Sequence, residues 1–196
     1  MPRIQSVAVF CGASAGHDPA FRSAAAQLGA AMAAAGLRLV YGGGRVGLMG
    51  ALADAALAGQ GEVVGVIPEF LTRQEVAHPL VAQIVTDSMH SRKQRMFELS
   101  DAFVSFAGGL GTFDETFEIL TWRQLGLHDK PILICDVAGS AGPLLRLIET
   151  VIETGFAQPE IRALYRTVAG VPALMAALAE TGPGPEPAPE GESARL

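Results

Sequence analysis

Short apolar runs rich in β-branched residues alternate with longer stretches of helical periodicity along the chain, the pattern of βαβ units on a mainly parallel sheet. Ser6–Gly12 is the first such run. Through the loop Ala13–His17 it reaches Asp18-Pro19, an N-cap followed by proline at the first helical position, which predicts a helix to about Ala35 with Gly36 as its C-cap. Leu37–Tyr41 predicts a second strand, Gly47–Gly59 an Ala/Leu-rich helix, and Glu62–Ile67 a third strand closed by Pro68. The segment Pro68–Ala82, with two prolines and several charges, is long for a bare connection and reads as a lid or binding loop.

Farther along, Ile84–Thr86 predicts a short strand and Ser88–Ser100 a helix with Met89, Met96, Phe97 and Leu99 on or near its apolar face. Ala102–Phe106 and Pro131–Cys135 predict strands, Thr112–Leu125 and Pro143–Thr154 predict helices, and Val171–Glu180 closes the globule. The fold class is therefore α/β: a doubly wound, mainly parallel sheet with helices on both faces, Rossmann-like. Residues 1–181 read as one domain, and the Pro/Gly/Glu-rich segment 182–196 as a disordered tail with too few apolar groups to offset ordering entropy.

Composition narrows the function classes. A formal charge of −6 and a pI near 5.2 exclude a protein that binds by neutralising many nucleic-acid phosphates. No stretch approaches the roughly 20 apolar residues of a membrane span, and the amino terminus reads as a first strand, not a leader; a cytoplasmic protein is expected. The two cysteines, Cys11 and Cys135, lie in apolar runs without ligand spacing and read as buried thiols. His17, His78, His90 and His128 show no metal spacing either, so no metal and no cofactor is expected. With 49% hydrophobic and only 17% charged residues, some apolar surface is expected to be covered by self-association.

The candidate chemistry sits in glycine-rich turns. Phe106-Ala107-Gly108-Gly109-Leu110-Gly111-Thr112 joins a strand to a helix, where several backbone N–H groups converge and a phosphate fits. An unoccupied tight turn has the same local pattern. A second run, Tyr41-Gly42-Gly43-Gly44 followed by Gly47-Leu48-Met49-Gly50, repeats the arrangement, so two loops can meet at the carboxyl edge of one sheet. The first turn, Cys11-Gly12-Ala13-Ser14-Ala15-Gly16, lacks the glycine spacing of a dinucleotide fingerprint, though Gly12 and Ser14 can offer N–H groups and a hydroxyl. A helix dipole contributes only about 0.3–1 kcal/mol to an anion, whereas micromolar binding needs about 8. Arg92-Lys93, early in the preceding helix, is the candidate cationic supplement; a solvated helix face is the alternative.

Thr112-Phe113-Asp114-Glu115 admits two readings. Thr-x-x-Glu at a helix start is a capping box. Equally, a carboxylate beside a helix N-terminus is held charged, which suits Glu115 to stabilise a developing cation or orient a water; the same field argues against Asp114 as an acid.

These residues carry a family resemblance. The chain resembles the Lonely guy (LOG) family, cytokinin riboside 5′-monophosphate phosphoribohydrolases also labelled possible lysine decarboxylases. The likeness runs from Val7 to about Leu178 and includes Cys11-Gly12-Ala13-Ser14, Tyr41–Gly50, Val66-Ile67-Pro68-Glu69, Ser88-Met89-His90-Ser91-Arg92-Lys93 and the PGGxGTxxE hallmark, here Ala107-Gly108-Gly109-Leu110-Gly111-Thr112-Phe113-Asp114-Glu115. What it implies is hydrolysis of an adenine-type nucleoside monophosphate to free base and ribose 5-phosphate, with Arg92 and Glu115 as the catalytic pair. The nucleotide site so implied comprises Gly12, Ser14, Gly43, Glu75, Met89, Lys93, Gly108, Gly109, Leu110, Gly111, Thr112, Asp114 and Thr121. It also implies a homodimer with sites near the interface.

Ala107 stands where the family has proline, a change that loosens the turn without removing a reacting group. A non-catalytic nucleotide or molybdenum-cofactor carrier or sensor on the same fold is the alternative; retention of Arg92 and Glu115 favours the enzyme.

Overall fold

The computed structural model describes residues 4–72 and 77–180; Glu75 and the tail 182–196 lie outside them. In chain order the elements are β1 (Ser6–Phe10), α1 (Pro19–Ala34), β2 (Arg38–Tyr41), α2 (Gly47–Ala58), β3 (Val63–Pro68), β4 (Ala82–Thr86), α3 (Met89–Glu98), β5 (Ala102–Ser105), α4 (Leu110–Gln124), β6 (Ile132–Asp136), α5 (Gly142–Glu153), β7 (Arg166–Ala169) and α6 (Gly170–Glu180). Short 3₁₀ turns occupy Glu69–Leu71 and Pro159–Leu164.

The seven strands form one sheet in the order β4-β3-β2-β1-β5-β6-β7, and every pairing is parallel. Being central, β1 is buried on both faces, which is why Ser6–Phe10 reads as a continuous apolar run. Val7 and Val9 face the layer built by α1, α2 and α6, while Ala8 and Phe10 face Met96 of α3, Ile119 of α4 and Leu144 of α5. The winding direction reverses between β1 and β5, so the loops that follow those two strands diverge and leave a crevice at their carboxyl ends.

Local signals placed most elements. Asp18 caps α1 by accepting the Ala20 N–H at 2.8 Å, with Pro19 behind it, and Gly36 takes a left-handed φ of +66° past the helix end. Two features differ from expectation. β7 was absent from the sequence pattern because its four residues form an edge strand with only Val168 buried. Helix α4 begins at Leu110, two residues earlier than Thr112 suggests, with Gly109 as its N-cap and no side-chain cap bond. Thr112 therefore sits within the first turn, and the capping-box explanation of Thr112 and Glu115 falls. The capping box actually formed is at α3, where Ser88 and Ser91 exchange side-chain to backbone bonds.

Candidate active site

A cleft of about 740 Å³ opens over the crevice between β1 and β5. Its walls come from the loops after β1, β2 and β5, with Leu71 from the long loop, Met89 and Arg92 from α3, and Ser140 and Pro143 at the start of α5. The loops fit because they lack side chains where they touch. Gly12 donates its N–H to the Ala107 carbonyl at 3.0 Å. A Cβ on Gly108 would stand 2.1 Å from Thr112 Oγ1 and 2.9 Å from the Gly12 nitrogen. Position 107 contributes a carbonyl to this junction, a group that alanine and proline supply alike.

At α4 the uncapped N-terminus faces the cleft. The first repeat bond of the helix is donated by Phe113 N–H to the Gly109 carbonyl at 3.1 Å, which leaves the first-turn N–H groups of Leu110, Gly111 and Thr112 aimed along the axis without intrahelical acceptors. Such groups, with the helix dipole behind them, suit an anion.

The floor holds Arg92 and Glu115, only 6% and 8% exposed, with Nη2 3.7 Å from Oε1. Arg92 reaches this place because a glycine follows β2: a Cβ on Gly42 would lie 2.2 Å from Nη2 and 2.9 Å from the Met49 sulfur. Its remaining contacts are long, 3.4 Å from Nη2 to the Gly42 carbonyl and 3.7 Å from Nη1 to the Met89 sulfur, and among the described residues its buried Nε has no hydrogen-bond partner. A desolvated guanidinium with donors to spare is costly unless something else accepts them. Thr116 anchors the helix beneath, donating from one hydroxyl to Ser105 Oγ or the Thr112 carbonyl at 2.8 and 2.7 Å. Burial, reinforced by the Glu115 charge, pushes the Cys11 thiol far above its ordinary range, so it lines the cleft as a neutral wall.

Of the residues implied by resemblance, Gly12, Ser14, Met89, Arg92, Gly108, Gly109, Gly111, Thr112 and Glu115 line this cleft. Five others do not. Gly43, at φ +80°, uses its carbonyl to accept from His78 N–H and Gln83 Nε2 at 3.0 and 2.9 Å, holding the long loop. Lys93 and Asp114 pair with one another at 3.1 Å. Thr121 turns its hydroxyl back to the Phe117 carbonyl, and Leu110 projects outward, 87% exposed. Gly42 and Met49 were named in the sequence only as part of the second glycine run, without a site role of their own, and Phe21 and Pro143 were passed over because they carry no local signal.

An open, doubly wound α/β sheet with a glycine-lined cleft at its switch point defines a ligand-binding protein of the Rossmann-like class. The chain belongs to the Lonely guy (LOG) family: the family described as possible lysine decarboxylase matches residues 49–178. It is 48% identical over 164 residues, 83% of each chain, to a cytokinin riboside 5′-monophosphate phosphoribohydrolase of Rhodococcoides fascians. With an Arabidopsis thaliana protein of the same name it shares 40% over 161 residues, 82% of this chain and 76% of that one. Among solved structures, a molybdenum cofactor binding protein of Rippkaea orientalis superposes with a TM-score of 0.69 at 22% identity, covering 91% of this chain and 97% of the other. A molybdenum cofactor carrier protein of Chlamydomonas reinhardtii gives 0.68 at 22%, covering 91% and 98%. The last two likenesses are of fold alone.

Among the described residues no helix is long and apolar enough to cross a membrane, and no group of three or more His, Cys, Asp or Glu is arranged for a metal ion.

Proposed function

We propose that the protein hydrolyses the N-glycosidic bond of an adenine-type nucleoside 5′-monophosphate, AMP or an N6-prenylated AMP, releasing free base and ribose 5-phosphate. The observation that carries this is the buried Arg92–Glu115 pair on the cleft floor, in the second turn below the uncapped start of α4. The phosphate takes the first-turn N–H groups and the ribose lies over the pair. Arg92 stands 3.7 Å from the Glu115 carboxylate and offers its spare donors to ribose oxygens. Glu115 stabilises positive charge growing at the anomeric carbon and orients a water. The water oxygen bonds to that carbon as the carbon–nitrogen bond breaks; the bonding electrons stay on the base, which takes up a proton.

Decarboxylation of lysine, the activity in the family's description, has no support in the two lysines. A pyridoxal enzyme needs a Schiff-base lysine in its cofactor pocket. Lys93 is tied to carboxylates, and Lys130 donates to the Phe97 carbonyl at 2.8 Å over that residue's ring; neither lines the cleft. The same proposal includes a homodimer, which sedimentation of the purified protein checks.

Incubation with AMP and with isopentenyladenosine monophosphate, followed by chromatography of the base, tests the activity directly. Glu115→Gln is expected to lower base release by about 10²–10⁴-fold while AMP binding, read by calorimetry, persists. Tight binding without base release from the wild-type protein would overturn the hydrolase and favour a nucleotide carrier.

A further inference from the structure

The connection between β3 and β4 reaches the cleft through Leu71, and its far end is held by His78, which is only 3% exposed. Two of the ties are backbone groups that no side-chain substitution removes: His78 N–H donates to the Gly43 carbonyl at 3.0 Å, and the His78 carbonyl accepts from Gln83 Nε2 at 3.3 Å. The imidazole makes a third. Leu80 N–H points at Nδ1 from 3.3 Å, which makes that nitrogen the acceptor and places the ring proton on Nε2, 3.0 Å from Asp54 Oδ1 on α2. Among the described residues this is the loop's one hydrogen bond to an α-helix. The anchor is firm, because α2 lies backbone-close to α1: a Cβ on Gly29 would stand 2.1 Å from the Leu52 carbonyl oxygen.

From His78 the constraint reaches the cleft in two steps. Ala77, its chain neighbour, bridges to Gly44 and donates its N–H to the Thr72 carbonyl at 3.4 Å. Thr72 adjoins Leu71, and its hydroxyl donates to the Glu69 carbonyl at 2.7 Å, closing the short 3₁₀ turn that presents Leu71. An Asp–His pair is also the arrangement that orients a catalytic imidazole. Here the second nitrogen is taken by the loop's own backbone, and neither His78 nor Asp54 lines the cleft, so the pair acts through what it holds.

We propose that His78 is a positioning residue: tied to Asp54, it holds the neck of the loop, residues 71–72 and 77–78, against α2 and keeps Leu71 in the cleft wall facing the nucleotide's base. With phosphate at the start of α4 and ribose over Arg92–Glu115, the base is the part left for an apolar wall. This rests on the proposal that the cleft takes a nucleotide and does not require that it be hydrolysed.

The test measures AMP affinity by calorimetry, kcat and KM by base release, and amide exchange at Thr72 and Ala77 by NMR, at a temperature where melting curves show each variant folded. His78→Leu is expected to weaken AMP binding about tenfold, the scale of losing an apolar contact in a pocket, to raise KM with kcat within about twofold, and to speed exchange at both amides. Asp54→Ala, at a position 66% exposed, gives the same losses without disturbing the core. His78→Gln and Asp54→Asn recover most of them, because an amide still supplies the donor or the acceptor. Leu71→Ala weakens binding as His78→Leu does, and combining the two adds nothing, as for residues acting as a unit. A lowered melting temperature with AMP affinity unchanged in His78→Leu, or losses that add in full to those of Leu71→Ala, would overturn the proposal. If the wild-type protein binds no AMP, the nucleotide reading fails by itself, while unchanged exchange at Thr72 and Ala77 in His78→Leu would separately show that His78 does not hold the neck.

Discussion

The loops after β2 and β5 share a pattern, strand, glycines, helix, yet the molecule uses them differently. After β2 the backbone groups are consumed internally. Leu48 and Met49 N–H, in the first turn of α2, both point to the Gly12 carbonyl at 3.0 and 3.4 Å, and the Gly43 carbonyl is taken by the segment around His78. What this loop gives the site is an absence of side chain, the space at Gly42 into which Arg92 fits. After β5 the helix start is uncapped and open to the cleft. One loop is scaffold and the other is the anion seat. Glycine content does not distinguish them; what the neighbouring loops accept and donate does.

Of the tests of this division between the two loops, the largest effect is expected at the scaffold loop. Gly42→Ala brings a methyl group onto the guanidinium, and base release is expected to fall by about 10²-fold while circular dichroism stays that of the folded protein. Wild-type turnover would mean that Arg92 does not depend on this loop. Next comes a matched pair. Gly43→Ala places a side chain at φ +80° and 2.6 Å from Gln83 Oε1, and should cost about 1–3 kcal/mol in denaturant unfolding with AMP affinity little changed. Gly109→Ala has φ −109° and nothing within 4 Å of the new Cβ, so stability should stay within about 0.5 kcal/mol while AMP binds several-fold more weakly. If the pair respond alike, the two loops are not divided in this way.

The smallest effect lies past the opposite end of α4. Burial, with the Arg123 and Lys130 charges adding to it, holds the His128 imidazole below its ordinary 6.5, even though the ring meets the Ile119 carbonyl at 3.0 Å. In the window below 6.5 the unfolded chain takes up a proton that the folded one refuses. The contribution is fully present above 6.5 and is lost as pH falls through the folded value. His128→Gln should flatten the acid side of a melting-temperature profile and leave the pH dependence of AMP binding unaltered.

Much of the architecture was legible because its causes are local. Asp18-Pro19 starts a helix wherever it is followed by helical periodicity, Gly36 ends it, and a doubly buried strand such as β1 must be apolar throughout. β7 was not legible, since an edge strand with one buried residue leaves no period to read. Thr112-x-x-Glu115 was ambiguous because the same four residues fit a cap or a site, and only the start of α4 at Leu110 separates them.

By itself, then, the sequence determined the alternation of strands and helices, the glycines at two strand ends and the set of charged residues between them, all properties of short segments. Tertiary structure decided which of those charges meet. Arg92 and Lys93 are adjacent in sequence, but a helix turns them toward different partners, one into the cleft against Glu115 and the other onto Asp114 and Glu118. That division depends on how α3 and α4 lie on the sheet, and no local spacing records it.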